Sequence, residues 1–212
     1  MLKSLLSLLL FVGFSSGFVA CKKDDPAPVT LTGSTIKDLA ADPPSGGYNN
    51  NGQPIGVTNK YTLFSFKTGA VIANTDSVSS KWDIGFRGTT IIVNSGTSGP
   101  GSAAALVQTG LFEQITTAPD AGYSQDNKAS ATAPRAIPTG SGKGWYNYDQ
   151  ATNLVTPKAG VVLIFKTADG KYAKMEIQSY YKGAPTSPTS ATPDRYYTFR
   201  YVYQGDGSTK LN

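Results

Sequence analysis

Apolar and polar positions alternate most clearly between Val161 and Tyr181, which read VVLIFKTADGKYAKMEIQSYY. Two runs of β-branched and aromatic residues flank Asp169-Gly170, a pair that predicts a hairpin with a type I′ turn. On the second run Ala173, Met175 and Ile177 point one way, and Lys174, Glu176 and Gln178 the other. The stretch KWDIGFRGTTIIVN repeats the pattern, with Trp82, Ile84 and Phe86 on one face and Asp83, Gly85 and Arg87 on the other. KYTLFSFKTGAVI predicts a further hairpin turning at Lys67-Thr68-Gly69. In ALVQTGLFEQI the pattern fits a strand or a short helix, and Gly110 favours the strand. The final run, YYTFRYVYQGDG, sets Tyr197, Phe199, Tyr201 and Tyr203 on one face. Such a stripe is either sheet core or an exposed stacking platform, since tyrosine joins a large apolar ring to a polar tip. No segment carries the period of a long amphipathic helix. The expected fold is all-β, a single antiparallel domain with long polar loops.

The connections are long and rich in turn formers. Residues 42–59 (DPPSGGYNNNGQPIGVTN) form one loop, residues 116–144 another, and residues 183–194 a third. The glycine-rich SGTSGPGSAAA at 95–105 interrupts the sheet. It lacks the Lys-Ser/Thr ending of a phosphate-binding loop, so nucleotide binding is not expected there.

The N-terminus breaks the pattern. One basic residue, Lys3, precedes an apolar stretch from Leu5 to Phe14, and small residues lead to Cys21, the only cysteine. That is the layout of a secretory signal over residues 1–20. The stretch is short of the roughly 20 apolar residues a bilayer span needs. Phe-Val-Ala-Cys at 18–21 resembles a bacterial lipobox, which makes Cys21 the lipidation site and membrane tether. Residues 21–34, beginning CKKDDPAPVT, read as a charged, proline-bearing stalk, and residues 35–212 as the folded domain. With Cys21 acylated, no disulfide can form.

Composition removes most chemistry. The chain has no histidine, so Ser-His-Asp and Cys-His catalysis and histidine-based zinc sites are excluded. The 14 acidic residues are scattered, and a carboxylate-based hydrolase is the weakest of the readings. Asp83 and Arg87, two side-chain steps apart, suggest a structural ion pair or a turn contact, not acid catalysis. The net charge of +5 is spread without a Lys/Arg run, which gives no support to nucleic-acid binding. No enzyme activity and no metal centre are expected. Binding is, and Trp145, Tyr146 and Tyr148 in KGWYNYDQ follow a glycine-rich loop in a way that suggests one or more of them line an opening.

Taken together, YTLFSFKTGAVI, KWDIGF, SGTSGPGSAAA, LFEQITTAPDAGY, GWYNY, VVLIFKTADGKYAKMEIQSYY and YTFRYVY resemble the HmuY family, haem-binding surface lipoproteins of Bacteroidetes. The pieces span Lys60 to Tyr203 in the family's order. The resemblance implies an all-β fold with haem held between loop-bearing fingers, and an outer-membrane receptor as partner. It also implies two axial histidine or methionine ligands, one in the loop from Ser124 to Pro138 and one at the position of Gln150. Neither place offers either residue type. Met175 lies on the strand face shared with Ala173 and Ile177 and reads as core filler. Two hypotheses follow. In one, haem or another tetrapyrrole is held by stacking and propionate contacts, with Tyr123, Tyr146 or Tyr148 approaching from the loops and Arg135 and Lys143 meeting propionates. In the other, the scaffold has changed ligand and serves as a glycan-capture or adhesion module at the cell surface, using the aromatics and amides of WYNYDQ.

Overall fold

The computed structural model describes residues 31–127 and 135–212. The proposed signal, Cys21 and most of the stalk lie outside the described residues. Eleven strands build the described fold: β1 (Ser34–Ala40), β2 (Thr62–Ser65), β3 (Ala70–Ile72), β4 (Ile84–Arg87), β5 (Thr90–Val93), β6 (Ala104–Thr109), β7 (Tyr146–Asp149), β8 (Leu154–Pro157), β9 (Val161–Lys166), β10 (Tyr172–Tyr181) and β11 (Asp194–Gln204). They form a five-stranded sheet ordered β1-β11-β10-β9-β6, a four-stranded sheet ordered β3-β2-β4-β5, and the separate hairpin β7-β8. Every pairing is antiparallel. The all-β expectation holds.

The two large sheets close on an aromatic core. Phe64 meets Phe199 edge to face at 5.4 Å between ring centroids, Phe66 meets Phe165 at 5.0 Å, and Phe86 meets Tyr197 at 4.8 Å. Such pairs add about 0.5–1.5 kcal/mol each beyond their buried area. Tyr197, Phe199 and Tyr201 are buried here and Tyr203 packs at the edge, so the aromatic stripe is core and not a platform. Ala173, Met175 and Ile177 face the same core, as their alternation indicated, and Met175 is fully enclosed.

The hairpins form where the turns were read, with two differences. The β9-β10 turn closes with Gly170 N–H donating to Thr167 O at 3.0 Å and Thr167 N–H to Lys171 O at 2.9 Å. Gly170 has φ of +76° while Asp169 is not among the positive-φ residues. This is the three-residue arrangement, a type I turn completed by a left-handed glycine, and not type I′. Its cause is local: the Thr167 hydroxyl donates to Asp169 Oδ1 at 2.6 Å and accepts Lys171 N–H at 2.8 Å, which draws one extra residue into the loop. The second difference is Trp82, which does not share a face with Ile84 and Phe86. It precedes β4 and packs with Leu63 and Ile92 on the back of the four-stranded sheet, donating from Nε1 to Ser77 O at 3.0 Å. The chain turns at Asp83 because its buried carboxylate accepts the N–H groups of Phe66 and Ala168, both at 2.8 Å. Burial pushes the Asp83 carboxyl up, against the pull of those two bonds. Arg87 goes elsewhere, over the Tyr61 ring at 4.4 Å, so the contact at Asp83 is a turn contact and not an ion pair.

ALVQTGLFEQI contains both alternatives in sequence. β6 ends at Thr109, and a 3₁₀ turn, Phe112–Gln114, follows Gly110. That turn helps cover the outer face of the five-stranded sheet, where Phe112, Ile115, Val162, Ile164, Val202 and Leu211 form a second apolar cluster.

Candidate functional site

The two loops that the sequence marked for ligand binding meet at the base of the β7-β8 hairpin. Ala136 and Ile137, at the end of the 124–138 loop, are buried in the same cluster as Trp145 and Tyr146. The backbones approach so closely that a Cβ on Gly144 would come within 2.2 Å of Pro138 O. Trp145 anchors the hairpin from below, donating from Nε1 to Thr89 O at 3.0 Å and lying 5.1 Å from the Tyr197 ring. Tyr181 adds a second anchor, its hydroxyl accepting Val155 N–H at 2.8 Å.

The other end of the 124–138 loop is organised by Asp126, which sequence reasoning missed. Its carboxylate, 1% exposed, accepts the Ser98 hydroxyl at 2.6 Å, Ala136 N–H at 2.8 Å and Val93 N–H at 3.3 Å, with Arg135 Nη1 at 3.4 Å. Two of those donors, at 135 and 136, sit just beyond residues 128–134, which lie outside the described residues. One carboxylate therefore ties both ends of the segment together. The glycine-rich stretch makes this possible: Gly96 has φ of +55°, and a Cβ there would fall 1.8 Å from Asp126 O. Its glycines serve backbone approach.

The candidate residues are placed as follows. Tyr148 and Gln150 are exposed on the β7-β8 hairpin and Lys143 is exposed just before it. The Tyr148 hydroxyl donates to Asn153 Oδ1 at 2.7 Å, which fixes a ring that is 44% exposed. Tyr146 is buried at 8% with its ring 4.9 Å from Trp145. Arg135 is engaged with Asp126 and Ser98. Tyr123 lies on the opposite face of the five-stranded sheet, in the cluster with Val162 and Ile164, under Lys166 at 4.8 Å. Burial pushes its phenol up, and the hydroxyl has no hydrogen-bond partner among the described residues. Lys143, Tyr146, Tyr148 and Gln150 thus lie along or just before the β7-β8 hairpin, and Tyr123 is set apart from them.

The HmuY protein family model matches residues 57–201, more than half of the chain. The chain belongs to the HmuY family. Its fold is similar to that of a Bacteroides vulgatus protein described as HmuY-like and heme binding, at 16% identity over 81% of this chain and 91% of that one, TM-score 0.47. A Bacteroides fragilis lipoprotein aligns at 15% identity over 81% and 90%, TM-score 0.48. The apo HmuY analog of Tannerella forsythia aligns at 14% identity over 85% and 99%, TM-score 0.46. No curated protein sequence matches. Against the HmuY family's role, the donor set is sparse. The chain has no histidine, Met175 is enclosed, and residues 128–134 (KASATAP) contain no methionine, cysteine or tyrosine. Among the candidate residues on the β7-β8 hairpin, Tyr148 is the exposed one of a type known to hold haem iron.

Proposed function

We propose that this HmuY-family chain is a surface lipoprotein, tethered through Cys21 to the outer membrane, that binds haem or a related tetrapyrrole for delivery to an outer-membrane receptor. The supporting observation is the meeting of the 124–138 loop and the β7-β8 hairpin on one buried base. Ala136, Ile137, Trp145 and Tyr146 share that buried base, and the hairpin packed on it carries an exposed phenol, Tyr148, with an exposed lysine, Lys143, just before it. On this reading Tyr148 supplies the iron ligand and Lys143 meets a propionate by a charge-assisted bond. Tyr146 and Arg135 support the site from below. The role is capture, without catalysis.

A difference titration tests it. Haem added to the full chain should give a shifted Soret band that saturates at one equivalent. Tyr148→Phe should lose that band while melting normally, and Tyr146→Phe should keep it, since a phenyl ring retains most of the buried area. A Soret shift that survives Tyr148→Phe refutes the ligand assignment. The second reading, a glycan or adhesion module on the same scaffold, draws on Tyr148 standing fixed and exposed beside Asn153. It gains if no Soret shift occurs and a sugar protects that ring.

A further inference from the structure

Arg87 and Arg195 are the arginines that make no ion pair among the described residues, and of the two Arg195 has a buried Nε without a hydrogen-bond partner. Arg135 faces Asp126, and Arg200 is gripped by Glu113 and Glu176. Arg87 lies over the Tyr61 ring and donates to Asn59 O. Arg195 makes no ion pair among the described residues: its Nη1 donates to Asp42 O at 3.1 Å, and its Nε is buried with no partner. The two carboxylates nearby are already engaged. Asp42 accepts Thr58 N–H, the Thr58 hydroxyl and Asn59 N–H at 2.7–2.8 Å, and Asp194 Oδ2 accepts the Tyr48 hydroxyl at 2.6 Å.

The backbone is also held in an uncommon state. Arg195 has φ of +61° within β11, a left-handed conformation that costs a bulky residue energy and persists only where surroundings enforce it. The enforcing contacts are visible: Arg195 O accepts Ala41 N–H at 2.8 Å, and the register of β10 and β11 shifts between Ser179 and Tyr181, which faces Asp194. The guanidinium lies against Gly88, where a methyl group would come 3.7 Å from its central carbon. Gly88 precedes Thr89, whose carbonyl holds Trp145, so Arg195 stands beside the buried base of the candidate site. Tyr48, 46% exposed, and Tyr180 are close enough for the Arg195 charge to bear on their hydroxyls.

We infer that Arg195, flanked by Tyr48, is a carboxylate-binding site. A half-buried charge calls for a partner, and the guanidinium fork fits a planar carboxylate. Asp42 and Asp194 nearby favour a monoanion over a phosphate dianion, because each added negative charge is repelled. A tyrosine wall beside an arginine suits an acid carried on a ring. The carboxylate can come from a tetrapyrrole propionate or from an acidic sugar, so the inference deepens the tetrapyrrole reading without depending on it.

The test compares acid and neutral forms of two probes on the full chain by calorimetry: mesoporphyrin IX against its dimethyl ester, and glucuronate against glucose. At least one acid should bind about tenfold more tightly than its neutral partner, the size of one charge-assisted bond. Arg195→Gln should erase that ratio, and Arg195→Lys should restore only part of it. The wild-type comparison needs no variant to fold. Discrimination by glucuronate with no porphyrin bound keeps this site and removes the tetrapyrrole reading. Equal binding of mesoporphyrin and its ester, with no preference for glucuronate, removes the site and keeps the tetrapyrrole reading. No binding of any probe overturns the inference.

Discussion

Replacing Asp126 by alanine tests how the ligand loop is held. The wild-type carboxylate is enclosed and takes Ser98 Oγ, Ala136 N–H, Val93 N–H and Arg135. Alanine leaves two buried backbone N–H groups without an acceptor, at about 1–3 kcal/mol for each unsatisfied group. It also strips a partner from a guanidinium that keeps 29% side-chain exposure. Water can solvate part of that charge, so its share is well below the 3–5 kcal/mol of a fully buried broken pair. The sum is about 3–7 kcal/mol, a large part of the 5–15 kcal/mol typical of a domain. Urea unfolding should show a lower midpoint with an unchanged slope, and limited proteolysis should cut at 128–134 before the midpoint is reached. Asp126→Ala/Arg135→Met should recover part of the loss, because the stranded charge is gone. A single variant within about 0.5 kcal/mol of wild type, the range of ordinary surface substitutions, would refute the reasoning.

Three further outcomes are expected. Gly170→Val should lower stability by about 1–3 kcal/mol through backbone strain, since a Cβ there meets nothing within 4 Å; a wild-type melting curve would count against the left-handed turn. Burial alone would raise the Asp42 carboxyl, but bonds from Thr58 and Asn59 outweigh it and hold it below the usual range. Its contribution is therefore full above the unfolded value of about 3.9 and is lost as pH falls through the lower folded value. Amide exchange at Thr58 and Asn59 should accelerate in that acid window before global unfolding, and not near neutrality. Cys21→Ala should abolish incorporation of labelled palmitate and release the chain from membranes; label retained by the variant would remove Cys21 as the lipid site.

The strands were legible because their side chains report burial with a period of two. Ala173, Met175 and Ile177 needed no tertiary information to be placed. Trp82 was misplaced because alternation was extended two residues past the strand, through an aspartate whose buried carboxylate bends the chain. The turn at Gly170 was located correctly and typed wrongly, since the Thr167 hydroxyl that lengthens it has no signature in the Asp-Gly pair. The site was harder. Tyr146 and Tyr148 are two positions apart and yet one is enclosed and the other exposed, a split that depends on Trp145 and Ile137 packing beneath the hairpin. Asp126 and Arg195 draw their significance from partners 9 to 153 residues away, and no local pattern announces such contacts. Tyr123 looked equivalent to the other loop tyrosines until the sheet came between them.

The central claim is that haem is held here without histidine or methionine, and one spectroscopic comparison addresses it. Haem should be added to the full chain at one equivalent and the absorption recorded before and after reduction by dithionite, for wild type and Gln150→His. The account predicts a ferric high-spin spectrum in the wild type that weakens on reduction, because a hard anionic phenolate favours the oxidised metal. Gln150→His should bind more tightly and keep its complex when reduced, as imidazole holds both states. A six-coordinate low-spin wild-type spectrum that persists on reduction, or a flat titration for both proteins, would contradict it.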